Sequence, residues 1–220
     1  MRIELDFISV LTEWPLLVKG VAWTVGLTSV STVLGLVLGI ALAWSRVHGS
    51  LPLRALAGSY VEAIRNTPFI VQLFFIYFGL PAMGLRLSPE VASIIAMVVN
   101  LSAYATEIIR AGIEATPKGQ IEAGKSLALT SGQIFMHVVL PPALRKVWPA
   151  LVSQIIIVML GSAVCGQIST EELSHAANLI QSRNFRAFEA FIIATLTYLS
   201  LAMALRRLLN WVGPRFLFGR

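Results

Sequence analysis

The sequence predicts an all-α, polytopic membrane protein of about five transmembrane helices, with its N-terminus outside and its C-terminus in the cytoplasm. Three observations predict it. Hydrophobic residues make up 56% of the 220 and charged residues only 13%, with a mean hydropathy of +0.78. A soluble domain of this size cannot cover so much apolar surface with so few charges. The apolar residues fall into runs long enough to cross a bilayer core of ~30 Å at ~1.5 Å per helical residue. Finally, the 17 lysines and arginines are spread unevenly among the loops.

Ahead of the first run, Phe7, Val10, Leu11, Trp14 and Leu17 recur at helical spacing, which predicts an amphipathic surface segment over 1–19. Glu4, Asp6 and Glu13 stand where a cleavable signal would carry basic residues, so no such signal is expected. The first span is Gly20 to Ser45. Within it Ser31, Gly35, Gly39 and Ala43 repeat every fourth residue, a small-residue stripe that lets a second helix approach closely, from this chain or from another. The second span runs from Asn66 to Leu85 and begins near Leu56, with a kink expected at Pro68. The third covers Val91 to Ala115, the fourth Val147 to Ile168, and the fifth runs from Phe188 to Arg206–Arg207. The transmembrane domain is thus placed at 20–212 and a cytoplasmic tail at 213–220. Trp23, Trp44, Trp148 and Trp211 fall near span ends, as an interfacial belt requires.

Five spans put the termini on opposite sides, and the charges choose between the two arrangements. With the C-terminus inside, the cytoplasmic side holds Arg46, Arg54, Arg65, Arg110, Lys118, Lys125, Arg145, Lys146, Arg206, Arg207, Arg215 and Arg220. The other side holds only Arg2, Lys19, Arg86, Arg183 and Arg186. The net charge of +6 therefore records topology, and nucleic acid is dropped as a partner.

The largest cytoplasmic segment is 116–146. Thr116-Pro117 opens a short helix through Gln120 to Leu129, Thr130-Ser131-Gly132 breaks it, and Ser131 caps a second helix that Leu140-Pro141-Pro142 ends. Gly119 to Ser126 also fits G-x-x-x-x-G-K-[ST], the phosphate-binding expression. Its surroundings reject that reading: no buried strand precedes it, and the chain's single aspartate, Asp6, lies across the membrane from it.

Glu122-Ala123-Gly124, then Ile134 and Leu140-Pro141, resembles the EAA loop of ABC-importer permease subunits. Tyr60 to Pro68 continuing to Gln72-Leu73-Phe74-Phe75, and Tyr104 to Ile113 followed by Lys118-Gly119-Gln120, narrow the resemblance to polar amino-acid permeases. Gly20, Thr24, Ile168 and Glu172-Leu173 also fit, so the likeness covers nearly the whole chain. It departs at Gly124 and Ala128, where the family usually has alanine and glycine, and at Leu160-Gly161, where a lysine or acid is frequent. The resemblance implies a type I ABC importer permease fold in a bacterial cytoplasmic (inner) membrane. It implies a second permease subunit, identical or paralogous, a dimer of a separate ABC ATPase, and an extracytoplasmic amino-acid-binding protein. No cofactor is expected on this chain; ATP and Mg belong to the ATPase. ATPase coupling is assigned by the resemblance to Gly119, Glu122, Ala123, Gly124, Leu127 and Ala128.

Polar residues inside the spans supply candidates for the pathway or its gate. Glu62 with Arg65, and Glu107 with Arg110, are one turn apart near cytoplasmic span ends; they form local pairs or a shared gate. Asn100, Ser102, Gln154 and Ser162 either line a path or hydrogen-bond between helices. His48, His137 and His175 lack metal-ligand spacing, and Cys165 reads as a packing residue. No catalytic motif is present, so an enzyme is not expected. The alternative, a self-sufficient secondary carrier or channel for small polar solutes, would call for inverted repeats that the sequence lacks.

Overall fold

The computed structural model describes residues 5–217, which are helical throughout apart from short turns. Four helical stretches are long and apolar enough to cross a membrane, and five if one sharply bent pair counts as a span. Arg2 and Arg220, used above in the charge balance, and Glu4 lie outside the described residues.

A short helix α1 (Phe7–Leu11) opens on Asp6, whose carboxylate accepts from the Ser9 N–H at 3.1 Å. Two residues later α2 (Trp14–His48) begins and runs for 35 residues without interruption. The helix therefore starts six residues ahead of the expected Gly20, because Pro15 sits in its first turn, where a missing N–H costs nothing. Nor is the preceding segment a free surface helix: Val10 is buried against Ile180 and Ala190.

The small-residue stripe of α2 finds its partner in the same chain, along α5 (Pro89–Glu114). A Cβ at Gly35 would lie 2.9 Å from the Leu101 side chain, and one at Gly39 would lie 2.9 Å from Ala105 Cβ. Further along α5, Gly112 admits α8 (Leu140–Gly161), since a Cβ there would meet Val147 at 2.8 Å and the Ala143 carbonyl at 2.9 Å. These contacts make α5 the central post of the fold. One apolar core, around Leu27, Leu73, Met97 and Leu101, lies toward the N-terminal end of α5. A second, around Ala105, Ile109, Phe135 and Leu151, lies toward its C-terminal end.

The predicted second span is two helices. α3 (Leu51–Arg65) and α4 (Phe69–Phe74) meet at 108°, and α4 continues through π-helical and 3₁₀ turns to Met83. Pro68 removes an N–H and drives Thr67 out of the helical region, which breaks the helix. Side chains then serve the carbonyls at the break: Asn66 Nδ2 adds a second donor to Glu62 O (2.8 Å), and Thr67 Oγ1 donates to Ala63 O (2.9 Å) and Gln72 Nε2 to Ile64 O (2.7 Å). The expected kink is thus a full break stabilised by its own caps.

The loop between the third and fourth spans contains α6 (Lys118–Ser126) and a single turn, α7 (Ser131–Gln133), capped by Thr130 rather than Ser131. Leu140-Pro141-Pro142 does not end a helix here. Helical chain continues from Ser131 to Ile168 through π-helical turns at Ile134–Val139, α8, and a 3₁₀ segment at Ser162–Ile168. The two prolines occupy the first turn of α8, where no intrahelical donor is needed.

The helix α9 (Leu173–Asn184), too short and polar to be read as a span, packs on α2 and on α10 (Ala187–Val212). The tryptophans near the span ends differ in their surroundings. Trp148 is buried and donates to Leu209 O at 3.1 Å, and Trp23 and Trp44 pack on the cores, whereas Trp211 is exposed.

Candidate functional site

The segment matching the phosphate-binding expression is helical from Lys118 onward, so from Glu122 on its backbone N–H groups are committed along the helix. Gly124-Lys125-Ser126 forms the last turn, the negative end of the helix dipole, which repels phosphate. α6 is instead a surface helix. Gly119, Glu122, Ala123 and Leu127 are exposed and recur at helical spacing, so they share one face, with Leu127 75% exposed. Gly124 faces the other way: it is buried against Ile134, where a Cβ would stand 3.0 Å from Cγ1. Its small size therefore serves contact with the chain's own second helix, and it is no part of the outward surface.

Ala128, also exposed, has a left-handed φ of 57°. The Leu129 N–H bonds Gly124 O at 3.2 Å and the Ala128 N–H bonds Lys125 O at 2.9 Å, closing the Schellman turn that glycine normally serves. The turn survives the alanine at a strain of about 1 kcal/mol.

Near the same end of the spans, Glu107 carries a charge ladder. Arg110 donates to Glu107 Oε2 through Nη2 at 2.8 Å and to Glu114 through Nη1 at 2.5 Å. Arg46, from α2, also pairs with Glu107, a partner 61 residues away that sequence spacing does not show. The Glu107 side chain is 17% exposed, so two guanidinium groups share one largely desolvated carboxylate. Glu62 and Arg65 behave differently. No ion pair joins them among the described residues; Glu62 is exposed, and Arg65 lies over the Tyr104 ring at 5.4 Å.

The helix break supports a third grouping. Gln72, nearly buried, caps Ile64 with its amide nitrogen and accepts from Asn100 Nδ2 at 3.1 Å with its oxygen. Asn100 in turn lines a cavity of about 160 Å³ with Phe69, Met97, Ile157, Val158, Gly161 and Val164. Gln154 sits on the same face of α8, one turn from Ile157 and Val158 toward α6. Ser162 does not join them: it is fully buried and donates to Met159 O at 2.6 Å. Ser102 is fully buried as well, against Tyr60 Oη at 2.7 Å. Of the sequence candidates, then, Asn100 lines the cavity, Gln154 lies one turn from its wall, and Glu107 and Arg110 meet at the ladder. Gln72 and Arg46 were missed as members of these groups; the only local signal for Gln72 was its place one turn beyond Pro68.

The chain matches the family model for the binding-protein-dependent transport system inner membrane component over residues 35–218. It is 39% identical to the L-cystine transport system permease protein TcyB of Bacillus subtilis (strain 168), over 78% of this chain and 73% of that protein. It is 34% identical to the arginine transport system permease protein ArtQ of the same organism, over 92% and 93%. Among solved structures it resembles the crystal structure of an amino acid ABC transporter with histidines, with a TM-score of 0.85 and 35% identity over 95% of this chain and 98% of that one.

Proposed function

The chain belongs to the family of binding-protein-dependent transport system inner membrane components, and from that premise we propose that it forms the amino-acid path of an ATP-driven importer, at the cavity beside Asn100 and Gln72. Family membership makes it a multi-pass permease subunit of a bacterial inner membrane rather than an enzyme, working with an ABC ATPase and a binding protein. The relatives named for cystine and arginine support polar amino acids as the substrate class.

In this reading the N-terminus is outside and the C-terminus inside. Two permease subunits, identical or paralogous, share the pathway, and ATP with Mg is bound by the ATPase pair. The exposed face of α6, through Glu122, Ala123 and Leu127, seats in the ATPase. Gly119 shares that face, Ala128 borders it, and Gly124 holds it to the rest of the chain. The Arg46–Glu107–Arg110–Glu114 ladder closes the cytoplasmic side.

The observation that carries the reading is one run of helical chain, Ser131–Ile168, π-helical near its start, with Pro149 inside it and 3₁₀ turns at its end. Its first residues receive α6 through Gly124 and Ile134, and its far end lines the cavity through Ile157, Val158, Gly161 and Val164. A push on α6 is thereby passed along connected helical chain to the cavity wall, as alternating access requires. Ala123→Trp tests the docking face. The variant is expected to insert and fold, yet to lose the ATPase subunit on purification in mild detergent. Retention of both the ATPase and uptake would remove α6 as the docking helix.

A further inference from the structure

Behind the cavity's far end lies a buried polar cluster that the functions above do not use. Glu172 is 0% exposed. Its carboxylate accepts from the Ser174 N–H (2.8 Å) and the His175 N–H (2.7 Å), capping α9, and from Tyr198 Oη of α10 at 2.5 Å. Capping alone needs only the short side chain of Asp, Asn, Ser or Thr. The longer arm of glutamate lets one carboxylate join α9 to α10 while it lies against a third element.

That third element is the 3₁₀ segment Ser162–Ile168. A Cβ at Gly166 would stand 2.6 Å from Glu172 Oε1, so the segment's backbone lies directly against the carboxylate. Ser174 Oγ donates to Ala163 O at 3.0 Å, tying α9 to the segment a second time. Thr170, just beyond it, shares a 2.8 Å hydrogen bond with Ser93 of α5, and Ser169 turns the chain at a left-handed φ of 66°. Thr24 of α2 accepts from the Leu173 N–H at 3.2 Å. Seven residues of 3₁₀ winding exceed the usual run of about three or four, and such a stretch inside a longer helix marks a hinge or stored strain. The segment also closes the cavity, because Val164 lines it and Gly161 immediately precedes it.

We propose that Glu172 and Tyr198 are positioning residues for transport, a latch that holds Ser162–Ile168 in its tight winding over the end of the cavity remote from α6. Release of the Tyr198 hydroxyl lets the segment rewind toward an α-helix. At ~2.0 Å against ~1.5 Å per residue, rewinding shortens the segment by roughly 3.5 Å and withdraws Val164 from the path. The proposal rests on the transport reading above only in naming what passes through the opening.

The chain's one cysteine, Cys165, lies fully buried inside this segment and reports on it directly. In the assembled transporter in proteoliposomes, alkylation of Cys165 by N-ethylmaleimide is followed by mass spectrometry of this chain. Tyr198→Phe keeps the ring and deletes the hydroxyl. It is expected to speed alkylation about tenfold, the scale of a lost charge-assisted hydrogen bond, and to raise ATP hydrolysis without binding protein while the melting temperature stays close to wild type. Equal alkylation and equal basal hydrolysis in variant and wild type overturn the latch. Should Tyr198→Phe fail to assemble, the wild-type complex decides alone. Alkylation that changes between the nucleotide-free and vanadate-trapped states supports a moving segment, and a constant rate overturns it. Failure to import any amino acid would defeat the substrate reading and leave this measurement standing.

Discussion

Replacing Gly39 by alanine adds a methyl group where α2 and α5 already touch. The new Cβ would lie 2.9 Å from Ala105 Cβ, 3.3 Å from Ser102 O and 3.5 Å from the Thr106 nitrogen. Carbon atoms pack best at about 3.5–4.0 Å, so the methyl–methyl contact is the one that must give. Overpacking of this kind costs about 1–3 kcal/mol, while removing a helical glycine returns about 0.5–1 kcal/mol. Gly39→Ala is therefore expected to destabilise the chain by about 1–2 kcal/mol. Ala105→Gly deletes the opposing methyl; alone it costs about 2 kcal/mol, from helix propensity and one lost buried methyl. Together the two changes exchange which helix carries the methyl. The pair should cost at most about 1 kcal/mol, where independent effects would cost about 3–4 kcal/mol, a coupling of about 2–3 kcal/mol. Unfolding titrations of the detergent-solubilised chain measure all four corners of the cycle. Additive effects, or a neutral Gly39→Ala, would refute the close α2–α5 contact on which the fold is built.

Three further outcomes follow from the geometry. Ala128→Gly relieves the left-handed alanine and should stabilise the α6 turn by about 1 kcal/mol, read as slower amide exchange at Leu129; unchanged exchange contradicts the strain. Glu107→Gln leaves Arg46 and Arg110 without a carboxylate between them, and uptake is expected to fall severalfold at undiminished expression; wild-type uptake removes Glu107 from the gate. Burial pushes the Glu172 carboxyl above its ordinary 4.5, against the hydrogen bonds from Tyr198, Ser174 and His175, so the folded chain holds this proton to higher pH than the unfolded chain does. Its contribution to stability is then complete below about 4.5 and lost as pH rises through the folded value. The melting temperature of wild type relative to Glu172→Gln should fall over that rise, and parallel pH profiles would count against it.

Legibility in the sequence tracked how local each cause was. The third and fifth spans are apolar runs and fold close to where they were read, at Pro89–Glu114 and Ala187–Val212. The stripe of Ser31, Gly35, Gly39 and Ala43 announced close packing, yet only the fold identified α5 as its partner. Pro68 marked a disturbance; its size, 108°, depends on caps from Asn66, Thr67 and Gln72 that local pattern does not specify. Pro141 and Pro142 misled because proline stops a helix and starts one equally well, and the π-helical turns before them settle which. α9 is too polar to stand out, since α2 and α10 create its buried face. The site behaved alike. Glu107–Arg110 is an i,i+3 pair and was readable, whereas Arg46 reaches Glu107 from another helix. On α6, a small residue permits contact on either side, so Gly124 and Ala123 were indistinguishable until one proved buried and the other exposed.

The central claim is that this chain supplies a path and a docking surface but no energy of its own. Uptake of a polar amino acid into liposomes tests it most directly, with this chain reconstituted alone and then with its ATPase, a binding protein and ATP. Uptake only in the complete, ATP-supplied system is the predicted result. Uptake by the chain alone would contradict the claim.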